Sequence, residues 1–146
     1  MHPCRGRHFE LGPLLNCRLR VIEGHNTPES GSDAIKGLLT AADLPTAILC
    51  SNDLTAIGAI QALNRSGLRV PEDISVVGAD DIPLAQLMTP TLTTVHLPRQ
   101  DLGRMAFSII EKMLNGEFAG GAEFFLDTHL IVRGSTGSGR RSDISS

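Results

Sequence analysis

Residues 46–81 read TAILCSNDLTAIGAIQALNRSGLRVPEDISVVGADD, and this stretch decides the fold. The unbroken apolar run 47–50 is typical of a strand in a parallel sheet that is covered on both faces. Apolar positions recur at helical spacing over 54–65, and Gly67 follows where a left-handed helix terminator belongs. A second apolar run covers 74–77. The stretch therefore predicts a strand, helix, strand unit within an open, mostly parallel α/β sheet with helices on both faces.

Polar side chains follow both strands of this unit. Asn52 and Asp53 come after the first strand, and Asp80 and Asp81 come after the second. Because the carboxyl ends of parallel strands share the edge where open α/β sheets bind ligands, we expect these side chains to converge there. Asp53 and Asp81 are equally suited to capping the next helix. Asn52 and Asp80 together predict hydrogen bonds to several hydroxyls of a small polar ligand.

The flanking sequence predicts further elements. Thr27-Pro28-Glu29 has the hydroxyl cap, proline and acid that start a helix. Residues 98–115 form an amphipathic helix pattern that ends at Gly116. Other expected elements are a helix over 7–16, strands over 19–22 and 92–97, one or two helical turns over 82–88, and extended runs over 124–126 and 129–132.

Length and composition limit the architecture and the partners. A chain of 146 residues has room for one domain with a real core, and we expect it over 1–134, followed by a disordered Gly/Ser/Arg tail over 135–146. The net charge of -3, with no Lys/Arg cluster, argues against DNA binding by this chain alone. Aromatic residues are only 3%, so base-stacking platforms are missing as well.

The compartment and the chemistry follow from what the sequence lacks. Three cysteines without a C-x-x-C pair, no membrane-length apolar run and a polar opening segment predict a reduced, cytoplasmic chain away from the membrane. His2, Cys4, His8 and Cys17 match no metal-site spacing, so no metal or cofactor is expected. Nucleophile and phosphate-loop motifs are missing, and Asp80 and Asp81 point different ways, so we predict that the chain is not an enzyme.

Three segments resemble the effector-binding region of LacI/GalR-type bacterial transcription regulators, and the likeness runs from about residue 21 to 134. They are AILCSNDLTAIGAIQAL, GLRVPEDISVVGADDIPLAQLMTPTLTTV and LGRMAFSIIEKMLNG. The resemblance implies the C-terminal subdomain of a periplasmic-binding-protein-like (type I) fold, with 98–116 as a crossover helix. It also implies a small effector, usually a sugar or a nucleobase-like metabolite. DNA would be contacted only through a helix-turn-helix domain that the printed sequence does not contain.

The resemblance implies roles for single residues. Asn52, with its neighbour Asp53, and Asp80 occupy the motifs that hydrogen-bond the effector in the family. Arg5 corresponds to an arginine that reaches the effector there, although His8 replaces the usual glycine. Asn26 stands where many relatives have a stacking aromatic, which leaves the effector's identity open.

The resemblance also implies a homodimer through four apolar side chains: Ile57, Leu84, Leu87 and Met88. In relatives, the helix that matches 98–115 packs on the N-terminal subdomain.

Two other classes of protein remain as alternatives. A solute-binding component for transport has similar architecture, and a small α/β enzyme has a similar fold class.

Overall fold

The computed structural model describes residues 19–41, 44–117, 121 and 123–138. Within these ranges the strands form one sheet in the order β1-β2-β3-β4, with β1 to β3 parallel and β4 antiparallel to β3. This confirms the open, mostly parallel sheet. The elements are α1 (Pro28–Leu39), β1 (Ala47–Leu49), α2 (Asp53–Arg65), β2 (Ser75–Asp80), α3 (Leu84–Leu87), β3 (Thr93–His96), α4 (Arg99–Leu114) and β4 (His129–Ile131).

Local sequence signals account for the ends of the helices. The Thr27 side chain accepts a hydrogen bond from the Ser30 amide at 3.2 Å and starts α1 as a capping box. Gly67 after α2 and Gly116 after α4 have φ angles of 79° and 72°. Glycine adopts this left-handed conformation without a steric penalty, so both predicted terminators are confirmed.

Helices α1 and α2 pack closely because glycines lie where they cross. A Cβ on Gly58 would overlap the carbonyl of Pro28, and a Cβ on Gly31 would overlap the carbonyl of Thr55. Helix α2 packs in turn on β2. The core between the helices and the sheet contains Ile35, Ile60, Leu63, Ile74, Val76 and Leu92.

The two faces of the sheet differ in the described part of the chain. Ile48 pairs with Val76 in the register of β1 and β2, and both belong to the core on the helix side. Leu49 points to the opposite face, because successive strand residues alternate, and it is 78% exposed. The α1/α2 layer therefore covers one face. The helix predicted over 7–16 lies outside the described residues.

The predicted strand over 19–22 is wrong. Leu19 and Val21 lie in irregular, exposed backbone. A strand needs a neighbouring backbone to bond its amides and carbonyls, and no described segment pairs with this one. The extended run predicted over 124–126 has no ladder partner among the described strands, whereas the run over 129–132 contains β4.

The disordered tail does not start at residue 135. The Ser135 hydroxyl is buried, donates to the carbonyl of Val76 at 2.6 Å and accepts from the Thr93 amide at 2.8 Å. The Ser135 carbonyl also accepts from the Val76 amide at 2.8 Å. Composition misplaced the boundary because these bonds join residues 42 and 59 positions apart. Residues 139–146 lie outside the described residues.

Helix α4 confirms the predicted 98–115 element to within a residue at each end, but none of its residues is buried. Its apolar stripe therefore lacks a cover in the described part of the chain. The stripe contains Leu102, Met105, Ile109, Ile110 and Met113.

The four predicted interface residues differ in exposure. Ile57 is only 5% exposed, so it is buried within its own chain and its assignment to the interface is wrong. Met88 is half-buried and packs against the core. Leu84 and Leu87 are 45% and 79% exposed and remain open to a partner.

None of the described helices has the length and apolar character that crossing a bilayer demands.

Candidate functional site

The carboxyl ends of β1 and β2 meet at one rim of the sheet, which we call the strand-end rim: residues 51–53 and 80–82. Asp53 ties its two halves together. One carboxylate oxygen of Asp53 accepts from the Ile82 amide at 2.8 Å, and the other accepts from the Thr94 hydroxyl at 2.5 Å. The convergence predicted for the two strand ends is therefore present.

Asn52 caps α2, a role that the sequence had offered to its neighbour Asp53. Its Oδ1 accepts from the Thr55 amide at 2.9 Å, and its Nδ2 donates to the carbonyl of Asn26 at 3.0 Å. An amide group has two N–H donors and two acceptor lone pairs. One donor and one lone pair of Asn52 therefore stay free of these bonds.

Asp53 is not a ligand-contacting residue. Its side chain has no solvent exposure, and both carboxylate oxygens are bonded within the protein. Gly78 leaves the space for it, because a Cβ there would overlap the Asp53 carboxylate. The proposal of Asp53 as an effector contact is therefore wrong. Asp53, the first residue of α2, lies behind the rim, where its side chain reaches the sheet rather than the surface.

Asp80 offers the free acid of the rim. Its carboxylate has no hydrogen-bond or ion-pair partner among residues 19–41, 44–117, 121 and 123–138, and the residue is half-buried. Its φ angle is 112°, and that of Asp81 is 52°. Residues other than glycine rarely adopt such angles, which cost about 1–3 kcal/mol each and persist only when the surroundings enforce them.

Asp81 is committed to structure. Its Oδ1 accepts from the Arg133 guanidinium at 2.6 Å, and its Oδ2 lies 2.9 Å from Nδ1 of His96. The bond from Arg133 is the main reason that the pKa of Asp81 lies below its ordinary value, and the bond from His96 lowers it further. Asp81 therefore does not cap the following helix.

Arg99 binds the backbone of Asp80 and Asp81 from the solvent side. Its guanidinium donates to the carbonyl of Asp80 at 2.8 Å and to the carbonyl of Asp81 at 3.3 Å. Arg99 therefore helps to fix the loop that carries Asp80.

Sequence reasoning missed the supporting residues Thr94, His96 and Arg133. Arg133 is 52 positions from Asp81, and no local pattern connects residues that far apart. Arg5, the remaining predicted contact, lies outside the described residues.

The rim offers groups that can recognise hydroxyls. A free carboxylate beside a partly free amide accepts and donates hydrogen bonds, as recognition of hydroxyl groups requires. No group of three or more potential metal ligands occurs among the described residues. Two concavities lie elsewhere and contain no rim residue. One of about 390 Å³ lies between α1 and α2, and one of about 580 Å³ lies beside α4.

Comparisons with known proteins agree with this architecture. The periplasmic binding protein-like domain matches residues 11–136. The HTH-type transcriptional repressor CytR of Escherichia coli (strain K12) is 40% identical over 116 residues, which are 80% of this chain and 34% of that protein. The chain thus spans about a third of the length of this curated relative.

Two solved structures give the same picture. A LacI family transcriptional regulator from Arthrobacter sp. FB24, in complex with lactose, has a TM-score of 0.70 and 36% identity, covering 78% of this chain and 43% of that one. The lac repressor dimer bound to operator and the anti-inducer ONPF has a TM-score of 0.74 and 34% identity, covering 79% of this chain and 40% of that one.

Proposed function

The chain belongs to the periplasmic binding protein-like domain family, within the LacI/GalR-type transcription regulators, and on that premise we propose that it is the effector-binding part of such a regulator. The effector is a sugar or a related polar metabolite with several hydroxyl groups. Asn52 and Asp80 contact it, and Arg5 is a further contact that the resemblance supplies.

One observation carries this proposal: the unpaired carboxylate of Asp80 at the strand-end rim. An exposed surface acid would need no explanation, but this one sits on strained backbone that several neighbours hold in place. Strain of this kind concentrates at functional sites. A carboxylate can accept hydrogen bonds from two adjacent hydroxyls of a sugar ring, and the lactose complex of the Arthrobacter regulator supports this class of ligand.

The mechanism is a ligand-linked change between two conformations. A second lobe closes over the rim, and the effector shifts the equilibrium by its greater affinity for the closed state. The rim alone supplies only half of the contacts. We therefore expect the isolated chain to bind weakly, with a Kd on the order of 1 mM.

Partners and location follow from the same proposal. Leu84 and Leu87 are the apolar side chains that a second copy would cover, and the operator complex of the lac repressor dimer supports a dimer. DNA is contacted through a separate helix-turn-helix domain, and such a regulator acts in the cytoplasm.

Saturation-transfer NMR on the full chain tests the proposal, because this method detects weak binding. The probes are lactose, cellobiose and the four common ribonucleosides, each at millimolar concentration. We expect transfer to at least one probe, and Asp80→Ala should reduce its affinity about tenfold or more.

Asp101→Ala is the matched control, because Asp101 is an exposed acid on α4. It should leave the affinity unchanged. Equal affinity in wild type and Asp80→Ala would remove Asp80 from the site, and no transfer to any probe would count against the ligand class.

A further inference from the structure

We infer that Asp53 and Thr94 form a buried relay that positions Asp80 for the effector. Asp53 is thus a positioning residue that never touches the ligand. The effect of the relay on effector binding rests on the proposed function, whereas its hydrogen bonds can be tested without any ligand.

The relay is a continuous set of hydrogen bonds from α2 to the loop after β2. The Asp81 amide donates to the Thr94 hydroxyl at 3.3 Å, and that hydroxyl donates to Asp53 at 2.5 Å. The Ile82 amide donates directly to the other carboxylate oxygen of Asp53 at 2.8 Å. Asp53 therefore holds two consecutive backbone amides, one through Thr94 and one directly.

These amides follow the residues whose backbone is least favourable. Asp80 and Asp81 both have positive φ angles, and neither is a glycine. If the amides of Asp81 and Ile82 were released, Asp80 and Asp81 would lower their backbone conformational energy by returning to negative φ. Such a rotation changes the direction of the Cα–Cβ bond, so the carboxylate of Asp80 would leave its place at the rim.

The other contacts to this loop do not replace the relay. Arg99 binds the carbonyls of Asp80 and Asp81, but it does so from an exposed position. Arg133 and His96 bind the side chain of Asp81. Among the residues that the structure describes, the Asp53 carboxylate and the Thr94 hydroxyl are the groups that accept the two amides.

The burial of Asp53 indicates that its carboxylate is there to accept hydrogen bonds from particular groups. Asp53 and Thr94 are both fully buried, and Asp53 has neutral hydrogen-bond partners. Removing a carboxylate from water costs solvation free energy, although the N-terminus of α2 and charge-assisted hydrogen bonds offset part of that cost. An apolar side chain would fill the same volume but could not accept an amide.

Amide hydrogen exchange on the full chain tests the relay. We expect Thr94→Val to speed exchange at the Asp81 amide about tenfold or more, relative to the Val76 amide near the start of β2, and to affect the Ile82 amide less, because Asp53 accepts from it directly. Thr94→Ser keeps the hydroxyl and should restore slow exchange. A general loss of stability would accelerate all three amides together.

Thr55→Val is the matched control, because the Thr55 hydroxyl is buried and has no partner in the described part of the chain. It should leave exchange at Asp81 and Ile82 unchanged. Asp53→Asn should accelerate the Ile82 amide specifically. If Thr94→Val leaves both amides as protected as in wild type, the relay is refuted.

The affinity for the tightest of the six NMR probes gives the functional consequence. Thr94→Val should weaken it about tenfold, Thr94→Ser should restore it, and Thr55→Val should leave it unchanged. Faster exchange with unchanged affinity would refute the positioning role but not the binding function. If wild type binds no probe, the proposed function fails, and the exchange measurement still decides the relay.

Discussion

Asp81 joins three segments at the scale of a single residue. Its carboxylate connects the end of β2 to His96 at the end of β3 and to Arg133 just after β4. Arg133 also donates to the carbonyl of Leu92 at 2.9 Å. Because Arg133 and Asp81 are both largely buried, this ion pair depends on having both partners present.

The lowered pKa of Asp81 leads to a prediction about stability in acid. The pKa is below the ordinary 3.8 in the folded chain, chiefly because Arg133 binds the charged form. The group therefore adds stability that is fully present above about pH 4 and is lost as the pH falls through the folded pKa. Chemical denaturation should show that Asp81→Asn lowers the free energy of unfolding near neutral pH, and that the difference from wild type shrinks near pH 3.

Asp101→Asn provides the control for this titration. Asp101 pairs with Arg104 on the exposed surface of α4, so its replacement should change the free energy of unfolding little at either pH. A deficit in Asp81→Asn that is the same at both pH values would mean that ionisation of Asp81 does not stabilise the fold.

At the scale of single residues, the sequence predicted the kind of site better than it predicted the residues that form the site. It placed an amide and acids at one rim, because strand ends and polar residue types can be read locally. It could not decide whether Asn52 or Asp53 caps α2, since that depends on a shift of one residue in where the helix begins. It could not find Arg133 or Thr94, whose contacts with the rim exist only in the folded chain.

At the scale of elements, the crossing of α1 and α2 depends on glycine. Gly58→Ala should destabilise the fold by about 2 kcal/mol or more, because its new methyl group would collide with the backbone of Pro28. Gly37→Ala in α1 should instead stabilise by about 0.5–1 kcal/mol, because no atom lies near its Cβ position and alanine favours a helix.

Urea denaturation of both variants measures these opposite signs. The pair is matched, since each makes the same substitution within a helix of the same layer. A small or favourable effect of Gly58→Ala would show that the two helices can separate without loss, and that the glycine does not set their distance.

The elements themselves could largely be predicted. The strand, helix, strand unit, the start of α1 and the span of α4 follow from periodicity and end signals that lie within each segment. The segment 19–22 could not be judged in this way, because a strand depends on a distant partner. Ser135 was missed for the same reason, since its bonds to Val76 and Thr93 follow from the tertiary fold.

At the scale of the whole molecule, exposed apolar side chains point to association. Leu84 and Leu87 lie together on α3, and both are exposed. We expect the chain to form dimers in sedimentation experiments at tens of micromolar, and Leu87→Glu should shift it towards monomer because a charge would be buried at the interface.

Leu19→Glu is the comparison for this measurement. Leu19 is also exposed, but it lies in irregular chain and is not part of α3, so the same charge should leave the sedimentation coefficient unchanged. A wild-type chain that sediments as a monomer at that concentration would contradict association through α3.

The central claim is that a small polar effector binds where β1 and β2 end. Titration of the 15N-labelled full chain with the tightest of the six probes, followed by amide chemical shifts, tests it directly. We expect the largest shifts on residues 51–53 and 78–82. Shifts confined to the groove between α1 and α2 or to α4, with residues 78–82 unmoved at saturation, would contradict it.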